Sequence, residues 1–155
     1  MNQSVHFSSQ SNEWSTPQDF FDKLNREFNF TLDPCATKEN AKCERFFTVE
    51  DNGLSKQWGG SVFCNPPYGR ELKKWVKKSS EEVSNCKVIV MLIPARTDTS
   101  YFHDFIYKKP NVQIRFLRGR LKFGESKNSA PFPSMLVIFS NKCDGFWNNN
   151  STINH

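Results

Sequence analysis

Gly59-Gly60-Ser61-Val62-Phe63-Cys64-Asn65-Pro66-Pro67-Tyr68, followed downstream by Lys87-Val88-Ile89-Val90-Met91-Leu92-Ile93, decides the fold. Val62-Phe63-Cys64 is apolar, too brief for a helix, and bounded by a glycine pair and a proline pair, so it reads as a buried strand. From Glu71 to Val83, Leu72, Trp75, Val76 and Val83 share one helical face while Lys73, Lys74, Lys77 and Lys78 lie off it, the pattern of an amphipathic helix. Lys87 to Ile93 is a continuous β-branched run, as expected of a parallel strand covered on both faces. Strand, helix and strand over about 30 residues make one right-handed βαβ unit.

Upstream of that unit, Thr16-Pro17 reads as a helix start with proline in the first turn, and Phe20, Phe21, Leu24 and Phe28 follow at helical spacing, so the helix is expected to run to about Phe28. Phe30-Thr31-Leu32-Asp33 alternates like a short strand that stops at Pro34, and Arg45-Phe46-Phe47-Thr48 is a second short candidate. Downstream, Tyr101 to Tyr107 suits a short helix. Val112 to Leu117 and Met135 to Phe139 look like an antiparallel closing pair at the end of the sheet, joined by a long hairpin loop over Gly124 to Pro133. The expected class is α/β, a mostly parallel sheet with a C-terminal antiparallel hairpin.

The 155 residues suit one domain, expected over residues 13–144, with a flexible N-terminal segment at 1–12 and a flexible Asn-rich tail at 145–155. With 15 Phe and 4 Trp the chain has enough bulky apolar surface to fold without covalent staples. Its cysteines, Cys35, Cys43, Cys64, Cys86 and Cys143, are odd in number with no C-x-x-C pair, which argues against a disulfide framework and a zinc cluster; no metal is expected, and a reducing cytoplasm is the default. No apolar run of about 18 residues and no secretory pattern occurs, so no membrane association is expected. A formal charge of +5 suits a polyanionic partner, because Lys and Arg gain affinity by releasing counterions from phosphates. No obligate protein partner is indicated.

In open α/β sheets the ligand site lies just outside the carboxyl ends of the strands, and Asn65-Pro66-Pro67-Tyr68 sits at such an end. Pro66 and Pro67 have fixed φ and no N–H, so the turn is stiff and presents carbonyl oxygens without donors at those positions. Asn65 adds a side-chain acceptor beside them. Two neutral acceptors converging on one point suit an amino group with two hydrogens, and the face of Tyr68 suits a flat ring; an adenine N6 fits both. Hydrogen bonds from that amino group to fixed acceptors localise a lone pair otherwise delocalised into the ring and turn it toward an electrophile. The competing reading is structural: Pro-Pro merely ends a strand and Tyr68 is a rim aromatic.

A set of motifs in fixed order widens the reading: Thr16-Pro17 with Asp19-Phe20-Phe21, Phe30-Thr31-Leu32-Asp33-Pro34-Cys35-Ala36, Asn40-Ala41-Lys42-Cys43, Glu50-Asp51, Trp58, Asn65-Pro66-Pro67-Tyr68-Gly69, Pro94-Ala95-Arg96-Thr97-Asp98-Thr99, and Gly119-Arg120 with Phe123. Over residues 13–140 the chain resembles the bacteriophage Dam-type DNA adenine-N6 methyltransferases. The resemblance implies a Rossmann-like methyltransferase sheet, S-adenosyl-L-methionine as donor, and a target adenine flipped out of double-stranded DNA. It also implies cofactor roles for Thr16, Pro17, Asp33, Cys35, Asp51 and Asn65, and a catalytic role for Asn65, Pro66, Pro67 and Tyr68. The cellular site so implied is the cytoplasm of a bacterial host. One departure stands out: Pro34-Cys35-Ala36-Thr37 replaces the Gly-rich turn usual after the first strand of methyltransferases. The interval from Asp33 to Asn65 is also short, as if a helix or strand of the full fold were missing. Asp33 before Pro34, and Asp51 before Asn52-Gly53, alternatively begin turns.

Candidate DNA contacts are Arg96, after the strand ending near Pro94, and Arg115, Arg118, Arg120 and Lys122 near the last hairpin, because the guanidinium fork suits phosphates and guanine edges. Arg115 and Arg118 alternatively solubilise an edge strand. The loop bearing Lys127, Asn128 and Phe132 is within reach of a duplex, with Phe132 a candidate to stack on the flipped base. Trp14 and Trp58 read as packing residues, and the four helix lysines as a solvated face. Four-residue motifs of this kind also serve methylation of RNA adenine, cytosine N4 or protein glutamine, and a catalytically inactive DNA-binding relative keeps the same sheet. A zinc deaminase is rejected because neither H-x-E nor P-C-x-x-C occurs.

Overall fold

The computed structural model describes residues 14–124, 126–142 and 151–153. The expected N-terminal segment at 1–12 and most of the 145–155 tail lie outside the described residues. Helix α1 (Gln18–Phe28) begins after Pro17, whose φ of −58° is already helical, and buries Phe20, Phe21 and Leu24. It ends where Asn29 turns left-handed, with Asn25 taking the Asn29 N–H on its carbonyl and the Phe30 N–H on its side chain. Strand β1 (Leu32–Asp33) is shorter than the sequence pattern suggests. Phe30 instead turns its ring onto Phe21, Phe28 and Phe63, and Thr31 joins the sheet through Ser61, donating its N–H to the Ser61 carbonyl at 2.7 Å while its hydroxyl oxygen accepts the Ser61 N–H at 3.1 Å. Strand β2 (Arg45–Phe46) follows with no helix between it and β1, although the two pair in parallel.

Strand β3 (Gly60–Cys64), helix α2 (Leu72–Glu82) and strand β4 (Cys86–Pro94) form the anticipated βαβ unit, with β3 and β4 paired parallel. Helix α2 buries Leu72, Trp75, Val76 and Ser79 and exposes Lys73, Lys74 and Lys77, as its periodicity requires. Glu82, at its end, is buried but not idle: it accepts the Trp58 N–H at 2.5 Å and a bond from Asn85, and lies 3.7 Å from Lys78. Helix α3 (Ser100–Phe105), strand β5 (Val112–Leu117), strand β6 (Ser134–Phe139) and strand β7 (Ser151–Ile153) complete the chain.

Among the described residues the sheet has seven strands in the order β2-β1-β3-β4-β6-β5-β7, and every pairing is parallel except those of β6 with β4 and β5. Two features go beyond the expected pattern. The antiparallel β5–β6 pair lies toward one end of the sheet as expected, but with β6 inserted between β4 and β5, which is why all six of its residues are buried, and with β7 added outside β5. Residues 151–153 are not a loose tail, since they pair in parallel with β5, and the Ile153 carbonyl takes the Arg118 N–H at 3.0 Å. The result is a mixed α/β fold, compatible with a methyltransferase. Its core is the wholly buried run from Val88 to Ile93 together with β6, the α1 phenylalanines and α2.

After β1 the chain turns to β2 on one side, whereas after β3 it proceeds to β4 on the other. The carboxyl ends of β1 and β3 are therefore neighbours whose outgoing connections diverge, the arrangement that opens a crevice in an α/β sheet. Asp33 ends β1 and Asn65 follows β3, so the strand order alone brings the two to the same crevice.

Candidate active site

An open cleft lies at that point, and among its walls are Thr16, Asp33, Cys35, Asn65, Pro66 and Pro67. Six residues singled out in sequence thus meet in one place. Asp33 is 4% exposed; its Oδ2 accepts the Lys42 N–H at 3.0 Å and its Oδ1 the Cys35 N–H at 3.4 Å. These bonds shape the Pro34 to Lys42 loop around the carboxylate where other sheets use a glycine turn. Burial pushes the Asp33 pKa up to about 6, against the pull of the two amides and of Lys42. The floor beneath Pro34 is Gly53, where a side chain would stand 2.1 Å from the Pro34 carbonyl oxygen, and Trp58 fixes Gly53 by donating Nε1–H to its carbonyl at 2.9 Å.

Asn65 stands opposite. Its Nδ2 donates to the Trp14 carbonyl and, at 2.9 Å, to Thr16 Oγ1, while its Oδ1 accepts the Tyr68 hydroxyl at 2.8 Å. Tyr68 Oη also lies 3.1 Å from the Leu92 carbonyl. The Trp14 carbonyl has no hydrogen to give, so the amide nitrogen faces it and the amide oxygen faces Tyr68. Burial raises the Tyr68 pKa well above its ordinary value, so its hydroxyl stays protonated and donates. The strand β3 register sets Asn65 at the mouth, and the fixed φ of Pro66 and Pro67 carries the chain down to Tyr68.

Tyr68 is not the open platform that its sequence position suggests. Its ring is buried against the edges of Phe123 and Phe132, at centroid distances of 6.3 and 5.6 Å, and Trp14 packs edge-on to the same two rings at 5.6 and 5.2 Å. Phe132 is only 7% exposed, inside this cluster, and Arg96 lies over its ring with Cζ 6.0 Å from the centroid. Phe132 is thus beside Tyr68 rather than out on an exposed loop. The segment from Trp14 to Gln18 ties the walls together: the Ser15 carbonyl accepts the Gly124 N–H at 2.8 Å, Ser15 Oγ accepts from Asn40 at 3.5 Å, and Gln18 accepts from Lys42 Nζ at 2.8 Å.

Other sequence candidates lie elsewhere. Pro17 is half-buried at the head of α1 and does not line the cleft. Asp51 is exposed, outside the cleft lining, and its Oδ2 accepts both the N–H and the hydroxyl of Thr48 at 2.9 and 3.1 Å, which is the turn-forming alternative weighed for it. Arg96, Arg118, Arg120 and Lys122 are all exposed. Arg115 is engaged, forming a bidentate pair with Glu27 at 2.8 and 2.7 Å and packing over Phe28, so it ties β5 to α1. Sequence reasoning missed the cleft roles of Trp14, Asn40, Lys42 and Val49; Val49 is 82% exposed yet lines the cleft. Asn40 and Lys42 stood in a quoted motif without a role, whereas a carbonyl such as that of Trp14 leaves no sequence signal.

Comparison with known proteins places the chain in a family. The family model described as DNA N-6-adenine-methyltransferase (Dam) matches residues 3–152. The DNA N-6-adenine-methyltransferase of Haemophilus phage HP1 is 32% identical over 137 residues, covering 83% of this chain and 79% of that protein. The protein of the same name from Escherichia phage T1 is 38% identical over 92 residues, covering 57% of this chain and 38% of its own length. With a family model matching nearly its full length, the chain belongs to the Dam family of DNA N-6-adenine-methyltransferases.

Proposed function

We propose that the chain transfers a methyl group from S-adenosyl-L-methionine to the N6 amino group of adenine in double-stranded DNA. The observation that carries this is the acceptor-only face of Asn65: both amide hydrogens are spent on Trp14 and Thr16, and Oδ1 keeps a lone pair beyond the one that takes the Tyr68 hydroxyl. An oxygen so held, next to prolines without N–H groups, receives an amino donor and repels other acceptors. The amine then keeps its lone pair for the methyl carbon and loses its proton during or after transfer, so no strong base is needed to start.

The cleft floored by Asp33 and Cys35 suits the cofactor, whose residues here would be Asp33 and Cys35, with Thr16 in the same wall holding the Asn65 amide, Pro17 shaping the segment from outside and Asp51 holding the β2 turn. S-adenosyl-L-methionine supplies the electrophilic methyl when bound. Asp33 offers its ammonium group a carboxylate, and exposed Val49 offers an apolar surface at the rim. The sheet, read this way, is a Rossmann-like methyltransferase sheet lacking one crossover helix, in a single catalytic domain over residues 13–144. Double-stranded DNA approaches the side bearing Arg96, Arg118, Arg120 and Lys122, and the flipped adenine enters toward Tyr68, where Phe132 must shift to admit it. No helix among the described residues is long and apolar enough to cross a membrane. The setting proposed is the cytoplasm of a bacterial host.

Asn65→Ala tests the reading. Transfer to unmethylated duplex DNA should be lost while cofactor affinity, measured directly, stays near that of the wild type; equal loss of both would mean that Asn65 holds the cofactor or the fold.

A further inference from the structure

We propose that the Tyr68 and Thr16 hydroxyls, with the Trp14 carbonyl, form a positioning frame that aims the Asn65 amide, and that this frame is why residue 65 is an amide and not a carboxylate. The inference deepens the reading above and rests on it. A free asparagine side chain turns about its last torsion at little cost, and its two ends differ only in hydrogen-bonding sense. Here each end has its own partner: Trp14 O and Thr16 Oγ1 on the nitrogen, Tyr68 Oη on the oxygen. Tyr68 has one hydroxyl hydrogen, given to Asn65 at the shorter distance; the side chain is held by the packing of its buried ring against Phe123 and Phe132, so the aim of Asn65 is referred to the packed core.

An aspartate at 65 would accept from an adenine amino group at least as well as asparagine does. It would also set a charged oxygen against the Trp14 carbonyl, acceptor on acceptor, and give up both donor bonds. Thr16 accordingly acts through Asn65 and not on the cofactor. Trp14 contributes by its main chain, so no side-chain substitution there removes its bond.

The test uses the full chain, tritiated S-adenosyl-L-methionine and unmethylated duplex DNA in single-turnover rate measurements, with cofactor affinity measured separately by calorimetry. Thr16→Val should slow transfer about tenfold, the size of one orienting hydrogen bond, with cofactor affinity within about twofold of the wild type, and Thr16→Ser should restore the rate. Tyr68→Phe, which keeps the ring, should slow transfer by a similar factor, and Asn65→Asp by roughly a hundredfold despite its better acceptor. If Tyr68→Phe fails to fold, the Thr16 pair decides. The frame is overturned if Thr16→Val weakens cofactor binding as much as it slows transfer, if Thr16→Ser behaves like Thr16→Val, or if Asn65→Asp works at the wild-type rate. Absence of transfer by the wild type would instead overturn the proposed function, and the frame along with it.

Discussion

Asp33 costs the fold stability whenever it is ionised, and that cost has a measurable pH signature. Its carboxyl is carried from an ordinary value of 3.8 to about 6, mainly by burial. At about 1.4 kcal/mol per pH unit, the full displacement corresponds to about 3 kcal/mol. The sign follows from which form the fold prefers: the folded chain holds the proton that the unfolded chain has released, so stability is greatest below the unfolded value and falls as pH rises toward about 6. Other carboxylates titrate in the same window, so the quantity to follow is the difference between the wild type and Asp33→Asn, which cannot ionise. Urea unfolding should find that difference moving against the wild type by about 2 kcal/mol from about pH 4 to about pH 7, slightly less than the whole because the unfolded carboxyl is already partly ionised at the lower pH. A difference that stays constant across the range would refute the claim that burial governs Asp33. The same group sets a second signature: an ammonium beside Asp33 favours its ionised form, so cofactor affinity should weaken as pH drops below about 6 in the wild type and stay flat in Asp33→Asn.

Gly53→Ala should destabilise the fold by about 1–3 kcal/mol and loosen cofactor binding, because its Cβ would meet the Pro34 carbonyl at 2.1 Å; urea unfolding and calorimetry would read both effects. Arg96→Ala should weaken binding to duplexes of any sequence and reduce the slope of log affinity against log salt by about 1 if the guanidinium pairs with a phosphate. A loss confined to one base position, with the slope unchanged, would make Arg96 a base reader instead.

Much of the architecture was legible because periodicity reports burial directly. The apolar run before Asn65, the helical stripe of Leu72, Trp75 and Val76, and the continuous run to Ile93 each formed the expected element. Neighbour order is written less plainly. Nothing local in Met135 to Phe139 says that a strand is flanked on both sides, although the absence of any polar alternation along it, in contrast to Gln113 and Arg115 on β5, is the trace that interior placement leaves. Ser151 to Ile153 is too short, and too close to an Asn-rich stretch, to stand out as a strand at all.

At the site, residue types pointed to positions but not to their geometry. Pro66, Pro67 and Asp33 stood out by properties a letter encodes, and all three line the cleft. Tyr68 was read as a stacking face, whereas its hydroxyl is what touches Asn65, and its ring is covered by Phe123 and Phe132. Arg115 looked like a DNA contact because its partner Glu27 lies far away in sequence. The Trp14 carbonyl that orients Asn65 was invisible, as every main-chain acceptor is until the chain is folded.

The central claim is that the crevice beside Asn65 methylates the amino nitrogen of adenine in duplex DNA. Incubating the purified chain with tritiated S-adenosyl-L-methionine and unmethylated duplex DNA, digesting the DNA to nucleosides and separating them tests it most directly. All label should run with N6-methyldeoxyadenosine; label in N4-methyldeoxycytidine, in glutamine of added protein, or in no product would contradict the account.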